Sequence, residues 1–513
     1  MNPQSENTRR IAKNTFYLYG RMLFGMLVSL YTSRIILNAL GVEDYGIYNV
    51  VGGFVAMFSL ISGALSSAIG RFITFELGTG NIEKLKNVVA TSLLIQSVIG
   101  LLVIIIAESV GVWFVNHQMV IPPDRVYAAN WVFQASVFTF VVNLLSCPYS
   151  AMIIAHEKMN VFACLGILQV LLNLSVVLFI QYATFMCDRL IVYSLLLMAV
   201  TTLMQIAYWQ YSKRNFVEGR VKLRFHKDCW REMSGFAGWN AIGCTAAILK
   251  DQGVNVLLNL FFGPVVNAAR GIAMSVNTAV GSFAGNFMTA VNPQIIKSFA
   301  ADDRRYVFSL VERGSRFGYY IMMFLAMPII FETSFILTLW LKQYPDFTII
   351  FVRLVMIYSL LEILSNTLIT LQVATGRIRN YQIAVGGLLL MNFPLSWLAL
   401  KLGATPYAVF YVAICVGVGC LMLRLWFLRR MVGLSMKHYL RRVIGNVMLT
   451  NLCAVVLPLI IYFVLPQGGV RLTIIVVVSS ISCILSTLYV GCDKGERNFI
   501  IGKFLGIKAK FIS

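Results

Sequence analysis

The sequence predicts an all-α, polytopic membrane protein, and three observations lead to that class. Of the 513 residues, 59% are hydrophobic and 12% are Asp, Glu, Lys or Arg, whereas soluble domains have about 45–50% apolar and about 25% charged residues. The apolar residues form long runs, and most Lys and Arg residues lie in the short segments between those runs. A soluble fold cannot cover this much apolar surface, so a soluble enzyme, a disordered chain and a nucleic-acid-binding domain are excluded.

The apolar runs are long enough to be membrane spans. A helix needs about 20 mainly apolar residues to cross a bilayer. The first run contains Arg21 and Arg34 and lacks a small-residue cleavage site, so we expect it to remain as a span and not to be removed as a signal peptide. We predict about fourteen transmembrane helices, at 14–38, 45–75, 87–115, 126–154, 160–184, 189–212, 232–259, 265–296, 309–340, 347–375, 380–400, 405–428, 441–465 and 471–491.

The charges of the loops predict the orientation of these spans. With fourteen spans, alternate loops lie on the same side of the membrane, and nearly all loop Lys and Arg residues share the side of the two termini. Positively charged loops stay in the cytoplasm, so both termini are predicted to be cytoplasmic. The same rule explains the net charge of +21 without a nucleic-acid partner. The few basic residues of the opposite loops are Arg125, Arg189, Lys342, Lys401 and Arg471.

An internal repeat divides the predicted helices into two pseudo-symmetric six-helix lobes plus two extra C-terminal helices. At the ends of spans one and seven, Asn38 aligns with Asn259, and Gly41 aligns with Gly263 after a one-residue slip. Spans one and seven share an orientation, so the repeat is parallel, as in one class of transporters. We predict an N-terminal lobe at 1–212, a basic cytoplasmic linker at 213–228, a C-terminal lobe at 229–430, and spans 13–14 with a cytoplasmic tail at 431–513.

The sequence contains no pattern that indicates an enzyme or a bound metal. The ten Cys residues are scattered without a CxxC, most of them inside apolar runs, and the four His residues are dispersed. Neither a Ser/His/Asp constellation nor a P-loop is evident, and the outer loops are too short for a catalytic domain. We therefore predict no catalytic residue, no metal and no cofactor, and a driving force that comes from an ion gradient or from the substrate gradient.

Charged residues inside the predicted spans are the strongest indication of function. A charge near the bilayer centre costs about 2.5–3.5 kcal/mol or more, so these side chains must face water, one another or the headgroups. Arg34 and Arg353 lie near outer span ends, where their long stems could also reach the headgroups. Adjacent residues on a helix point about 100° apart, so we expect Lys250 and Asp251 not to pair with each other. The candidates for the wall of a substrate cavity are Arg21, Arg34, Lys250, Asp251, Arg270 and Arg353.

Span eight and span ten add further candidates. One face of span eight carries residues spaced 3, 4, 3 and 4 apart, namely Asn267, Arg270, Met274, Asn277 and Gly281. We interpret this face as a wet groove for sugar hydroxyls and a diphosphate, and polar contacts between helices are the alternative. Small residues of span two, such as Gly52, are interpreted as a packing face, and a sugar-lined wall is the alternative. Glu362 in span ten is a candidate for ion coupling or, alternatively, a salt-bridge partner.

Three segments resemble a known family. ALGVEDYGIYNV, after span one, resembles the LGxxxYGxY segment of polysaccharide exporters. KDQGVNVLLNLFFGPVVNAARGIA resembles their seventh helix and the following turn, with Asp251 at the position of a recurring aspartate, although PVVNAAR replaces the expected Tyr-Gly turn. CPYSAMIIAHEKM resembles a third shared stretch. With fourteen spans, the chain is similar to the Wzx-type lipid-linked oligosaccharide flippases of the MOP exporter superfamily, which includes the MATE and MVF-like transporters.

The resemblance implies a substrate and a mechanism. It implies two six-helix lobes around a central cavity, with alternating access that moves undecaprenyl-diphosphate-linked oligosaccharide repeat units across the bacterial inner membrane for capsule, O-antigen or exopolysaccharide synthesis. The expected partners are this substrate, membrane lipids, H⁺ or Na⁺ as a coupling ion, and a polysaccharide polymerase. The alternatives are a MATE-type multidrug/cation antiporter and a lipid II flippase. A membrane enzyme, such as a polymerase, ligase or acyltransferase, is the alternative from a different class.

Overall fold

The computed structural model describes residues 3–56, 58–117, 119, 121–183, 188–220, 225–498 and 502. In this part of the chain the regular structure is helical, and it contains no strand. The α-helices are α1 (Pro3–Ala56), α2 (Ser59–Thr79), α3 (Ile82–Ile106), α4 (Val112–His117), α5 (Val126–Ala155), α6 (Met159–Tyr182), α7 (Arg189–Asn215), α8 (Lys227–Phe262), α9 (Pro264–Ala300), α10 (Arg304–Leu341), α11 (Thr348–Ala374), α12 (Arg379–Leu390), α13 (Asn392–Lys401), α14 (Ala408–Val432), α15 (Met436–Tyr439), α16 (Asn446–Val464) and α17 (Gly469–Ser486).

These helices confirm the predicted class of an all-α, multi-pass membrane protein. Each of the fourteen predicted spans falls on helical residues. Within the described residues, ten helical segments are long and apolar enough to cross a membrane. The four remaining predicted spans fall on α1, α2, α8 and α9. Span two is divided between the end of α1 and α2, and span eleven between α12 and α13.

The chain packs into two compact units. Unit 1 contains Met1–Cys244 and Ile296–Asp302, and unit 2 contains Thr245–Ile295 and Asp303–Ser513. Both α8 and α9 therefore contribute residues to each unit. The boundaries that the sequence suggests for the two lobes and their linker stay predictions.

Two glycines with a left-handed backbone lie where the sequence repeat aligns them. Gly41 breaks α1 with a φ of +83°, and Gly263 separates α8 from α9 with a φ of +78°. A residue with a Cβ pays about 1–2 kcal/mol for this conformation, whereas glycine adopts it readily. Both glycines with a positive φ thus lie at positions that the predicted repeat aligns.

One end of unit 1 is tied together by Arg125, which precedes α5. Its Nε donates a hydrogen bond to Asp44 Oδ1 at 2.8 Å, and its other nitrogens bind the carboxylate of Asp188. Asp188 in turn caps α7 by accepting a hydrogen bond from the Leu190 N–H at 2.9 Å. One guanidinium therefore connects α1, α5 and α7 on the predicted outer side.

The opposite end of unit 1 is tied together by two buried carboxylates. Glu157, whose side chain is 1% exposed, accepts hydrogen bonds from Arg10 and Lys297, each at 2.9 Å. Glu218 lies in the turn that follows α7, and its side chain, which is 5% exposed, binds the imidazole of His156. These pairs connect the start of α1, the loop between α5 and α6, and the end of α9.

The pair of Glu218 and His156 makes the stability of the fold depend on pH. Burial acts to raise the pKa of Glu218, but the hydrogen bond from His156, its own backbone N–H, and the charges of His156 and Lys86 together lower that pKa below its ordinary value. A carboxylate with a lowered pKa contributes stability above its unfolded-state pKa of about 4.3, and this contribution is lost as the pH falls through the folded-state pKa. The stabilisation by Glu218 is therefore complete near neutral pH.

We expect Glu218→Gln to lower the thermal unfolding midpoint by about 2–4 °C at pH 7, because a hydrogen bond to a charged group is lost. The difference from the wild type should shrink as the pH falls from 5 towards 3.5. Thermal unfolding of the purified protein in detergent at a series of pH values measures both quantities. A difference that stays constant over this range would contradict the assignment.

Candidate binding site

Arg21 of α1 lines a cavity of about 560 Å³ inside unit 1, which we call the Arg21 cavity. Its walls come from α1, α6 and α7. Volumes of about 300–1,000 Å³ are typical of small-molecule sites. Besides Arg21, the residues that line it include Gly25, Ser29, Gly166, Gln169 and Tyr208.

The side chain of Arg21 is held in place by α6. Its guanidinium lies 4.5 Å from the centre of the Phe162 ring, a distance typical of a cation–π contact. The stem lies over Gly166 so closely that a Cβ there would be 2.4 Å from Arg21 Cδ. Arg21 forms no salt bridge or hydrogen bond with the residues that the structure describes. An anionic ligand in the cavity could therefore take the place of a protein counter-ion through charge-assisted hydrogen bonds.

The contact between Gly166 and Arg21 leads to a test of this placement. We expect Gly166→Ala to displace the Arg21 side chain and to lower transport about tenfold, since one or two charge-assisted hydrogen bonds would be misaligned. Gly20→Ala is the matched control, because its added Cβ meets nothing within 4 Å. Transport per molecule of membrane-inserted protein is the quantity to measure. Equal losses in the two variants would contradict the placement of Arg21.

A second cavity of about 580 Å³ lies in unit 1 between α1, α5, α6 and α7, and we call it the neutral cavity. Among the described residues that line it, none is charged. Hydroxyl and amide groups line this cavity together with the aromatic ring of Phe140. The polar lining residues include Tyr48, Ser136, Asn143, Asn173, Ser194 and Thr201.

The two cavities follow each other along the same two helices. On α6, Gln169 of the Arg21 cavity and Asn173 of the neutral cavity are one turn apart, or about 5 Å. On α7, Tyr208 and Thr201 are two turns apart, or about 10 Å. Unit 1 thus offers a cation at one level of the predicted membrane and uncharged polar groups at the next.

Lys250 and Asp251 of unit 2 do pair with each other, so the expectation from their spacing was wrong. Lys250 Nζ lies 3.3 Å from Asp251 Oδ1 and donates a hydrogen bond to the Tyr358 hydroxyl at 2.9 Å. The flexible four-carbon stem of lysine carries its ammonium away from the direction of the Cβ. Tyr358 also donates to Glu362 Oε1, at 3.5 Å. The structure therefore brings Lys250, Asp251 and Glu362 into one cluster, in which Lys250 is buried and Glu362 is exposed.

The polar face of α9 is directed towards other helices of unit 2. Arg270 is 8% exposed, and its Nη2 donates to the Asp251 carbonyl of α8 at 2.9 Å. Asn277 accepts a hydrogen bond from Ser359 of α11 at 2.5 Å. Asn267 is half-buried on the same face. Arg270 and Asn277 bridge helices of unit 2, and none of the three residues lines the Arg21 cavity or the neutral cavity.

The structure describes the side chain of Arg353 but not that of Arg34, the other remaining arginine candidate. Arg353 donates through Nε to the Ile330 carbonyl at 2.9 Å, beside the point where α10 departs from helical geometry at Glu332. Arg353 therefore donates to a backbone oxygen at the point where α10 is distorted. Arg34 belongs to α1, but its side chain lies outside the described part of the structure.

Several residues of the cavities are not distinguishable in the sequence. Ser136, Asn173 and Thr201 are ordinary polar residues of apolar spans, and nothing in their spacing relates them to one another. The close contact between Arg21 and Gly166, which lacks a side chain, cannot be recognised in the sequence either, because it joins two helices that are far apart along the chain. Gly52 was interpreted as a packing residue, and the structure places it in the lining of the neutral cavity.

The fold is shared with solved structures of membrane transporters. The fold is similar to the crystal structure of MATE in the bent conformation (13% identity, TM-score 0.70, 85% of this chain and 98% of that chain). It is also similar to an outward-facing multidrug resistance MATE family transporter of the MOP superfamily (12%, 0.70, 83% and 97%). A third similar structure is that of a MOP superfamily transporter from Pyrococcus furiosus, which is described as having a reverse polarity of the binding pocket (12%, 0.66, 83% and 96%).

The family follows from the sequence profile. The family described as polysaccharide biosynthesis protein matches residues 11–302, which is more than half of the chain. The chain belongs to this family, and its fold is that of the MATE transporters of the MOP superfamily. A comparison with curated proteins finds no match.

Proposed function

We propose that the protein is a flippase that moves undecaprenyl-diphosphate-linked oligosaccharide repeat units across the bacterial inner membrane, for capsule, O-antigen or exopolysaccharide synthesis. The family and the transporter fold support a role in polysaccharide export. The observation that carries the proposal is Arg21, a cation inside the predicted membrane that lines a cavity and has no counter-ion among the described residues. A lipid-linked diphosphate is an anion that must leave water at this depth.

The mechanism that we propose follows from the charge of the substrate. Two N–H groups of the planar, forked guanidinium of Arg21 would replace part of the hydration shell of the diphosphate with charge-assisted hydrogen bonds. The polyprenyl chain would stay in the lipid, because its transfer into a polar cavity would forfeit its hydrophobic stabilisation. Alternating access of the two halves would then present the head group to the opposite side of the membrane.

Energy coupling is assigned to unit 2. Glu362 is our candidate coupling group, with H⁺ or Na⁺ as the ion, and Lys250, Asp251 and Tyr358 are its neighbours. Protonation of the exposed Glu362, or binding of Na⁺ to it, would change the charge next to the buried ammonium of Lys250. We further propose that the protein associates with a polysaccharide polymerase that would use its product.

Two related substrates are the alternatives. A MATE-type exporter of cationic drugs would have to bind a positive charge close to Arg21, which opposes such binding through Coulomb repulsion. A lipid II flippase would use the same diphosphate recognition. The Arg21 cavity therefore favours an anionic substrate over a cationic drug, and the attached glycan has to be identified by experiment.

The test is mass spectrometry of polyprenyl-linked glycans in cells that lack the protein. We expect a complete repeat unit to accumulate on its lipid carrier, and complementation with the wild-type gene to remove it. Accumulation of lipid II with cell lysis would instead identify the peptidoglycan precursor as substrate. Unchanged lipid-linked glycans together with drug sensitivity would overturn the proposal in favour of the exporter.

A further inference from the structure

We infer that the neutral cavity is a subsite for uncharged sugar residues, and that it selects against acidic sugars at the position next to the diphosphate. This inference rests on the proposed function, since it assigns the part of the substrate that adjoins the anion at Arg21. It concerns a separate set of residues on α5, α6 and α7.

The free hydrogen-bonding groups of the cavity suit sugar hydroxyls. Ser136, Asn173 and Thr201 make no side-chain hydrogen bond with the residues that the structure describes, and all three line the cavity. Asn143 accepts from Gln205 Nε2 at 2.6 Å, which leaves its own N–H groups to donate. The cavity therefore offers amide donors and hydroxyls, which pair with the vicinal hydroxyls of a sugar ring.

Aromatic rings complete the wall. Phe140 and Tyr48 line the cavity, and each is held by another ring. The centre of the Tyr48 ring lies 5.1 Å from that of Tyr193, and the centre of the Phe140 ring lies 6.0 Å from that of Phe58. Fixed aromatic faces can pack against the C–H faces of a sugar ring through dispersion. Polar groups and flat apolar surfaces are thus available in one cavity, as a carbohydrate requires.

The absence of charge among the lining residues sets the selectivity. A carboxylate that leaves water without a counter-ion pays a large desolvation cost. Among the described residues of the neutral cavity, none could offset that cost, and Arg21, which lines the adjoining cavity, is assigned to the diphosphate. A uronic acid next to the diphosphate is therefore disfavoured, whereas a neutral hexose is accepted.

The order of the cavities matches the order of the substrate. The neutral cavity lies one turn of α6 and two turns of α7 beyond the Arg21 cavity, on the side away from the predicted cytoplasm. Its volume of about 580 Å³ is within the range of pockets for small organic ligands, which is suited to a mono- or disaccharide. A head group that enters sugar first would therefore place its first sugars there and its diphosphate at Arg21.

Three soluble probes test the inference on the full-length protein in phosphatidylcholine nanodiscs. They are farnesyl diphosphate capped with a methyl group at its terminal phosphate, which is called farnesyl diphosphate below and has the charge of a sugar-linked diphosphate, and the same diphosphate linked to glucose or to glucuronic acid in place of the methyl group. We expect the glucose probe to bind about tenfold more tightly than farnesyl diphosphate, as two additional hydrogen bonds permit. The glucuronic acid probe should bind no more tightly than farnesyl diphosphate.

Variants test whether the difference in affinity between the glucose probe and farnesyl diphosphate arises in the neutral cavity. The double variant Thr201→Val/Asn173→Leu should bind the glucose probe no more tightly than farnesyl diphosphate. Its affinity for farnesyl diphosphate itself should be unchanged. Thr202→Val is the matched control, because Thr202 binds the Met198 carbonyl of its own helix at 2.8 Å and does not line the cavity. This control should keep the full gain from glucose. Native mass spectrometry of the nanodiscs gives all the dissociation constants.

The outcomes separate this inference from the proposed function. Equal affinities of the glucose probe and farnesyl diphosphate in the wild type would overturn the sugar subsite, and tight binding of the glucuronic acid probe would overturn its selectivity. Arg21→Gln should weaken all three probes equally. If Arg21→Gln changes none of them while the gain from glucose persists, the anion site of the proposed function fails and the sugar subsite stands.

Discussion

Arg21→Gln is expected to lower the rate of transport about 100-fold without lowering the abundance of the protein. The substitution removes two charge-assisted hydrogen bonds to a diphosphate, and about 1.5 kcal/mol for each corresponds to this factor. Arg21→Lys should retain part of the rate and lose about tenfold, because an ammonium keeps the charge but lacks the planar fork. The measurement is surface glycan formed per molecule of protein in cells that carry the variant alone.

The control is Arg189→Gln, which removes a cation from the exposed start of α7 in the same unit. Arg189 contacts the Ala39 carbonyl at 3.3 Å and does not line the Arg21 cavity. We expect its transport to match that of the wild type within about twofold, since an exposed single contact contributes little. Full activity of Arg21→Gln at normal abundance would refute the cationic site.

Glu332→Gln is expected to destabilise the protein by about 3–5 kcal/mol, because it leaves the charge of Arg471 buried without its partner. Glu332 is 1% exposed, and its Oε1 lies 2.6 Å from Arg471 Nε. Arg471 Nη2 also donates to Glu332 Oε2 at 3.2 Å. The pair connects α10 to α17 inside unit 2. Thermal unfolding in detergent measures the loss, and Arg471→Met should show a loss of the same size.

The double variant Glu332→Leu/Arg471→Met provides the control for this effect. Replacing a buried ion pair by apolar residues of similar size is often neutral or stabilising, so most of the lost stability should return. Should Glu332→Gln fail to accumulate, the abundance of the double variant is the quantity to compare. If both single variants unfold within about 1 °C of the wild type, or if the double variant is the least stable of the three, the pair does not stabilise unit 2.

The class of the protein could be predicted from the sequence because membrane spans depend on composition over about 20 residues. Local averages of this kind need no knowledge of which helices are neighbours. The alignment of Gly41 with Gly263 was informative for a related reason, since a left-handed turn is a local property of one residue. Arg21 stood out because a charge within a span has to be explained.

The partners of the intramembrane charges could not be predicted. Lys250 reaches both Asp251 and Tyr358 through a flexible stem, and Arg353 binds carbonyls of a different helix. Both contacts depend on rotamers and on helix packing, which spacing along one helix does not determine. The neutral cavity was missed for the same reason, because Ser136, Asn173 and Thr201 lie on three helices and converge only in three dimensions.

The left-handed turn at Gly41 joins two stretches of α1 without an intervening loop. The Arg21 cavity takes its wall from the stretch before this turn, and the neutral cavity takes residues such as Tyr48 from the stretch after it. A loop of several residues would let the two stretches slide past each other, whereas a turn of one residue does not. If the two cavities hold the diphosphate and the first sugar as proposed, this turn limits the separation between them, and the protein would act as a gauge of the linkage that it accepts.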